Sequence, residues 1–170
     1  MKNRKLLMIP GPSPVVRSIQ DQMGRETIAF GDPSFVTDFK ELLAELTALW
    51  KTSGEVFVVA GTGTMAMEMA IANSTTRGDN VLVVSHGYFG DRFVDICARK
   101  GLSVDVLKSD WGKIVPVEAI ESKMKEKSYR AVTVTHVDTS TGVSAPIEEI
   151  GRVVRKHANP VYHPAHNALA

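Results

Sequence analysis

Apolar residues recur at helical spacing in the segment that follows Asp32. Asp32 has a side chain that can accept hydrogen bonds from a first helical turn, and Pro33 suits the first helical position. The pattern therefore predicts an amphipathic helix, with its apolar positions at Phe35, Phe39, Leu42, Leu43, Leu46, Leu49 and Trp50.

Further along the chain, short apolar runs alternate with amphipathic segments. The runs predict buried strands at 56–60, 81–85, 103–108 and 130–137, and the amphipathic segments predict helices at 65–74, 91–100, 116–127 and 146–155. Continuous apolar character within strands indicates burial on both faces, so we expect an α/β fold with a mainly parallel sheet and helices on both faces. Ligands of such sheets bind where the strands end and the loops leave for the helices.

Composition and charge narrow the classes of function. The 170 residues carry a formal net charge of +1, which gives no general attraction for nucleic acid or an anionic membrane. The apolar stretch near the amino terminus, Leu6 to Ile9, is too short for a signal peptide. We expect no nucleic-acid and no membrane partner. The single cysteine, Cys97, favours a reducing, cytoplasmic location and reads as a small buried residue of a helix.

The loop "AGTGTM" follows the first predicted strand and opens a helix. Gly61 and Gly63 allow close backbone approach, while Thr62 and Thr64 add hydroxyl groups beside the positive end of a helix dipole, which suits a phosphate. The alternative to a phosphate site is that the loop only makes a tight connection between the strand and the helix. A Walker loop requires a lysine that is missing here, and a dinucleotide site expects an acidic residue at the end of the next strand, which instead ends at Ser85.

Two later loops offer further candidate ligand residues. In "SHGYFGDR", Tyr88 or Phe89 can stack on a flat heterocycle, or both can serve as packing residues. In "HVDTSTGV", neighbouring hydroxyl groups can donate to a ligand or close a turn. A Ser-His-Asp triad is disfavoured there because the Gly-x-Ser-x-Gly elbow is absent.

The segments "PGPSPV", "AGTGTMAMEMAIAN", "HGYFGDRF", "DWGKIVPVEAIE" and "HVDTSTGVSAPIEEIG" occur in this order. Together they resemble the class V pyridoxal-phosphate aminotransferases of the alanine–glyoxylate and serine–pyruvate type. The resemblance implies a fold type I large domain, a homodimer with its sites at the subunit interface, and pyridoxal 5′-phosphate as cofactor. It also implies transfer of an amino group from a small amino acid to a 2-oxo acid.

The same resemblance implies roles for individual residues. Thr62, Gly63 and Thr64 would hold the cofactor phosphate, Phe89 would stack on its ring, and Ser140 would lie beside the ring oxygen. Gly11 matches a backbone segment that lines the substrate site. No metal site is expected.

The family's motifs stop near the end of the chain. We expect an amino-terminal arm at 1–31, a partial large domain at 32–156 and a non-matching tail at 157–170, with the later strands and the small domain truncated. No residue matches the lysine that binds the cofactor or the aspartate at its ring nitrogen, so we assign no catalytic residue. The alternative function is a non-catalytic fragment that folds or oligomerises and at most binds pyridoxal phosphate or another phosphate.

Overall fold

A computed structural model describes residues 5–157 of the chain. The chain divides after Ala60 into two compact units. This division lies inside the range 32–156 that we predicted as one domain, and the assignment of arm, large domain and tail stays a prediction. Residues 158–170 lie outside the described residues. Among the described helices, none has both the length and the apolar character needed to cross a membrane.

The first unit contains two helices, α1 (Arg17–Met23) and α2 (Pro33–Leu49). The predicted start of α2 is confirmed, since the Asp32 carboxylate accepts a hydrogen bond from the Ser34 backbone N–H at 2.8 Å and Pro33 is the first helical residue. Hydrogen bonds to Ser34 also lower the pKa of Asp32. Helix α1 was not predicted from the apolar pattern.

The prediction of a strand at 56–60 is wrong for the described structure. The segment forms no strand, and Phe57 and Val58 are 76% and 54% exposed. Its β-branched and aromatic residues favour extended backbone, but a strand forms only when a neighbouring segment satisfies its N–H and C=O groups. No segment within residues 5–157 pairs with it.

The second unit is built on a parallel sheet. Its elements are α3 (Gly63–Ser74), β1 (Asn80–Ser85), α4 (Tyr88–Arg99), β2 (Ser103–Lys108), α5 (Val117–Glu126), β3 (Ala131–Val134), β4 (Val137–Asp138), β5 (Val143–Ser144) and α6 (Ile147–His157). The strand order is β2-β1-β3, with both pairings parallel. The predicted α/β fold is confirmed. The fourth predicted strand is shorter than expected: β3 ends at Val134, and β4 and β5 then form a small antiparallel hairpin.

The central strand β1 is buried on both faces of the sheet. Leu82 and Val84 pack with residues of α5 and α6, while Val81 and Val83 pack with residues of α3 and α4. This double burial accounts for the continuous apolar run in the sequence. Because α3 leads into β1 and packs on it, and α4 leaves the end of β1, both helices begin at the carboxyl edge of the sheet.

Cys97 lies in the cluster between α4 and the sheet and is fully buried. Burial raises the pKa of its thiol from 9.0 to about 11. Because the thiolate is the reactive form, we expect the native chain to react with a thiol reagent at pH 8 about a hundredfold more slowly than the urea-unfolded chain. Stopped-flow measurement of both rates tests this, and equal rates would show that the thiol is accessible in the native state.

Candidate functional site

The amino terminus of α3 presents hydrogen-bond donors that have no acceptor in the part of the chain that the structure describes. The Thr62 hydroxyl oxygen accepts from the Met65 N–H at 3.2 Å, so its hydrogen is available to a ligand. The N–H groups of Gly63 and Thr64 have no acceptor within residues 5–157. The first turn contains no acidic residue, and a Cβ built on Gly63 would meet no protein atom within 4 Å. This arrangement suits a phosphate group at the helix terminus.

The amino terminus of α4 is capped by a distant segment. Its N-cap residue, Gly87, has no side chain, and the missing acceptors come from the last residue of β4 and from the loop that follows it. Asp138 Oδ2 accepts from the N–H groups of Phe89 and Gly90 at 3.1 and 3.3 Å, and Ser140 Oγ accepts from the Tyr88 N–H at 2.9 Å. The first turn of α4 is therefore satisfied by residues about 50 positions later in the chain.

The close approach of this loop explains the glycine at position 87. A Cβ built on Gly87 would lie 2.6 Å from Ser140 Oγ and 2.8 Å from Asp138 Cγ. Any larger residue would have to displace the two capping side chains.

Phe89 lies in the first turn of α4, at the carboxyl edge of the sheet, and is 37% exposed. Its ring packs edge-on against Tyr88, with the ring centroids 5.4 Å apart, and the Tyr88 hydroxyl is hydrogen-bonded to Arg92. Phe89 thus retains exposed surface that a flat heterocycle can cover. The predicted stacking role fits this placement and stays a prediction.

The Ser140 hydroxyl already donates its hydrogen within the protein, whereas a hydrogen-bond donor to a ligand needs a free hydrogen. This hydroxyl donates to Asp138 Oδ1 at 2.6 Å and accepts from the Tyr88 N–H, so one lone pair remains for a ligand. The neighbouring Thr139 is exposed, and its hydroxyl makes no hydrogen bond within the described part of the chain. Ser140 remains the predicted ring-oxygen contact, and Thr139 is a second hydroxyl of the same loop with its proton available.

Sequence reasoning did not identify the structural role of Asp138, which is fully buried. An aspartate directly after an apolar strand, followed by small hydroxyl residues, was the available signal. Its partner segment could not be read from the sequence because the hydrogen bonds span 49 positions.

His86 is buried at the end of β1. Its Nδ1 accepts from the Val115 N–H at 3.3 Å, which places the proton on Nε2, and Nε2 has no partner among residues 5–157. Loss of hydration on burial lowers the pKa of His86 below its usual 6.5, an effect that the negative charge of Asp138 partly offsets.

We expect this histidine to make the chain less stable in mild acid. Well above pH 6.5, as at pH 8, both the folded and the unfolded state carry neutral His86. As the pH falls through 6.5 and then through the lower folded pKa, the unfolded state binds the extra proton first, so the free energy of unfolding decreases. Urea unfolding between pH 8 and 5 measures this, and His86→Asn, which keeps an acceptor for Val115, should show a smaller decrease. Identical decreases in both proteins would contradict the assignment.

Two further predictions concern other parts of the chain. Gly11 belongs to the first unit and is exposed, and its role at the substrate site stays a prediction. Within residues 5–157, no group of three His, Cys, Asp or Glu side chains is arranged to hold a metal ion. Two further histidines of the predicted tail, His163 and His166, lie outside the described residues.

Comparison with known proteins identifies the family. The model of the family described as "Aminotransferase class-V" matches residues 33–163. The small subunit of the soluble hydrogenase of a Synechococcus species is 36% identical, over 92% of this chain and 42% of its own length. Alanine–glyoxylate aminotransferase 1 of Saccharomyces cerevisiae is also 36% identical, over 91% of this chain and 42% of its own.

Solved structures agree in fold. The crystal structure of an alanine–glyoxylate aminotransferase from Nostoc superposes with a TM-score of 0.82 at 30% identity, covering 94% of this chain and 44% of that one. The chain thus spans about two fifths of the length of the relatives it matches. Since the family model covers most of the sequence and the fold agrees with it, the chain belongs to the class V aminotransferases.

Proposed function

We propose that this chain is the cofactor-binding part of a pyridoxal-phosphate aminotransferase. Pyridoxal 5′-phosphate is the cofactor of the family to which the chain belongs. The observation that carries the proposal is the set of free donors at the start of α3: two backbone N–H groups and the hydroxyls of Thr62 and Thr64. Phe89 lies in the first turn of the neighbouring helix α4, at the same edge of the sheet.

The residues present fit such a cofactor in a defined division of roles. Thr62, Gly63 and Thr64 would bind its phosphate, Phe89 would cover one face of its ring, and Ser140 would contact its ring oxygen. When bound, the cofactor supplies an electron sink that makes a substrate proton acidic. This chain's residues anchor and orient it, and we assign none of them to the proton transfer.

The amino-acid donor and 2-oxo-acid acceptor are proposed from relatives. Relatives named as alanine–glyoxylate and serine–glyoxylate aminotransferases suggest a small amino acid and a glyoxylate-like or pyruvate-like acid. The second candidate remains a non-catalytic fragment that binds the cofactor without turnover.

Self-association and a cytoplasmic location belong to the same proposal. No residue of α2 is buried, and its apolar positions Phe35, Phe39 and Leu42 are each more than a third exposed. Apolar surface of this kind favours association, and we propose a homodimer or higher oligomer. Sedimentation equilibrium tests this, and a monomer at all concentrations would refute it. The location rests on the single, buried Cys97.

Replacing the two threonines of the α3 loop tests the phosphate site. We expect Thr62→Val and Thr64→Val each to weaken pyridoxal phosphate binding about tenfold, because each removes one hydrogen bond to a charged group. Equilibrium dialysis measures the affinities. Thr37→Val is the matched control, since its hydroxyl bonds within α2 at Pro33. Unchanged affinity in both loop variants would contradict the phosphate site and favour the alternative that the loop only connects two elements tightly.

A covalent assay separates the two candidate functions. Borohydride reduction of the chain with pyridoxal phosphate, followed by mass analysis, locates any lysine that carries the cofactor. A single modified lysine supports an aminotransferase site within this chain. No specific adduct, together with reversible binding, supports the non-catalytic fragment.

A further inference from the structure

The carboxylate of Asp138 links two of the residues proposed to contact the cofactor. Its Oδ2 accepts from the N–H groups of Phe89 and Gly90, and its Oδ1 accepts from the Ser140 N–H at 3.1 Å and the Ser140 hydroxyl at 2.6 Å. We infer that Asp138 is a positioning residue that holds Phe89 and Ser140 in place for the cofactor ring, an inference that rests on the proposed function.

The charge of Asp138 is balanced by these donors and by the α4 helix. The side chain is fully buried, and within the described residues it forms no ion pair with a lysine or arginine. A buried carboxylate without a cation requires hydrogen-bond donors at both oxygens. The first turn of α4 supplies two of them, together with the positive end of the helix dipole. The carboxylate is therefore bound to the start of α4 and not only adjacent to it.

The backbone of Asp138 is also fixed, by the turn that begins at this residue. The backbone carbonyl of Asp138 accepts from the N–H groups of Thr141 and Gly142 at 3.1 and 2.8 Å, which closes a turn around the side chain. The Thr141 hydroxyl donates to the carbonyl of His86 at 3.1 Å, which connects the same turn to the end of β1. The position of this turn and the position of the Phe89 backbone are thus coupled through one side chain.

Asparagine cannot replace this carboxylate without releasing one of its two contacts. All four groups that face Asp138 are donors, and an amide offers one acceptor oxygen and one donor NH2. If the amide oxygen faces α4, the Ser140 hydroxyl loses its acceptor and is free to rotate. If it faces Ser140, the N–H groups of Phe89 and Gly90 lose theirs.

The inference predicts a loss of selectivity for the ring of the cofactor. The phosphate is proposed to bind at α3, whereas Asp138 acts on the residues near the ring. We expect Asp138→Asn to bind pyridoxal phosphate about tenfold more weakly and inorganic phosphate with unchanged affinity. Asp91→Asn is the matched control, because Asp91 also lies in the first turn of α4 but bonds Ser85 and Lys108 instead. This control should retain both affinities.

Backbone amide resonances give a readout that does not depend on the cofactor. In ¹⁵N spectra of the ligand-free chain, Asp138→Asn should shift the signals of Phe89 and Gly90 or of Ser140, according to the amide orientation. Wild-type affinity for pyridoxal phosphate in Asp138→Asn would overturn the inference, and so would an equal loss of affinity for both ligands, which is the result of general destabilisation.

Failure of the proposed function gives a different pattern. If the wild-type chain binds no pyridoxal phosphate, the proposed function fails. The amide resonances of Asp138→Asn then test by themselves whether Asp138 holds Phe89 and Ser140. Shifts confined to Phe89, Gly90 and Ser140 then support it, and unchanged signals overturn it.

Discussion

Ile120→Ala is expected to lower the free energy of unfolding of the second unit by about 2–5 kcal/mol. Ile120 lies in α5, is fully buried, and packs in the cluster that contains Leu82 and Val84 of β1. Its truncation removes apolar contacts and leaves a cavity that the surrounding helices fill only in part. Urea unfolding followed by circular dichroism measures the loss.

Ile114→Ala provides the matched control for this prediction. Ile114 is 45% exposed and lies only a few residues earlier in the same unit. The same chemical change there should cost well under half as much. If both variants lost equal stability, the burial described for α5 against the sheet would be incorrect.

Gly90→Ala is expected to destabilise the chain by about 1–3 kcal/mol and to disturb the proposed ring site. A Cβ at Gly90 would lie 2.6 Å from the backbone Cα of Ser85, so α4 would have to move away from the end of β1. Because Phe89 precedes this residue in the helix, the aromatic ring would move as well. Thermal unfolding and pyridoxal phosphate affinity both measure the effect.

A second helical glycine supplies a control with the opposite expected sign. Gly151 lies inside α6, and its added Cβ would only make ordinary contact with Arg155 at 3.6 Å. Because alanine favours a helix over glycine by roughly 0.5–1 kcal/mol, Gly151→Ala should leave stability unchanged or raise it. Destabilisation in both variants would point to a general intolerance of α helices to substitution, and not to the Ser85 contact.

The architecture of the second unit was predictable because its causes are local or periodic. Residues 81–85 form one uninterrupted apolar run, which is the pattern required of a strand buried on both faces, and the structure buries Leu82 and Val83 on opposite faces. The start of α2 was equally local, since Asp32 and Pro33 act on the adjacent turn. The donors at the start of α3 follow from backbone geometry within four residues.

The predictions from the sequence pattern failed where a segment depends on a partner that is distant along the chain. Residues 56–60 have strong strand propensity, yet within the described chain they lack the neighbour that pairing requires. The fourth predicted strand, which is β3 in the structure, ends at Val134 because the chain turns into the β4–β5 hairpin, which brings Asp138 to α4. Neither event leaves a periodic pattern in the sequence.

By itself the sequence determined that a mainly parallel α/β sheet forms, that a loop rich in glycine and threonine opens α3, and that the motifs resemble the class V aminotransferases. Burial on two faces and helix-terminal N–H groups leave their mark in consecutive residues, so they are readable without coordinates. Only the tertiary structure decided that Asp138 and Ser140 cap α4 and that the Ser140 proton is already engaged. The capping contacts join segments about 50 positions apart, and their geometry is set by the packing of α4 on β1.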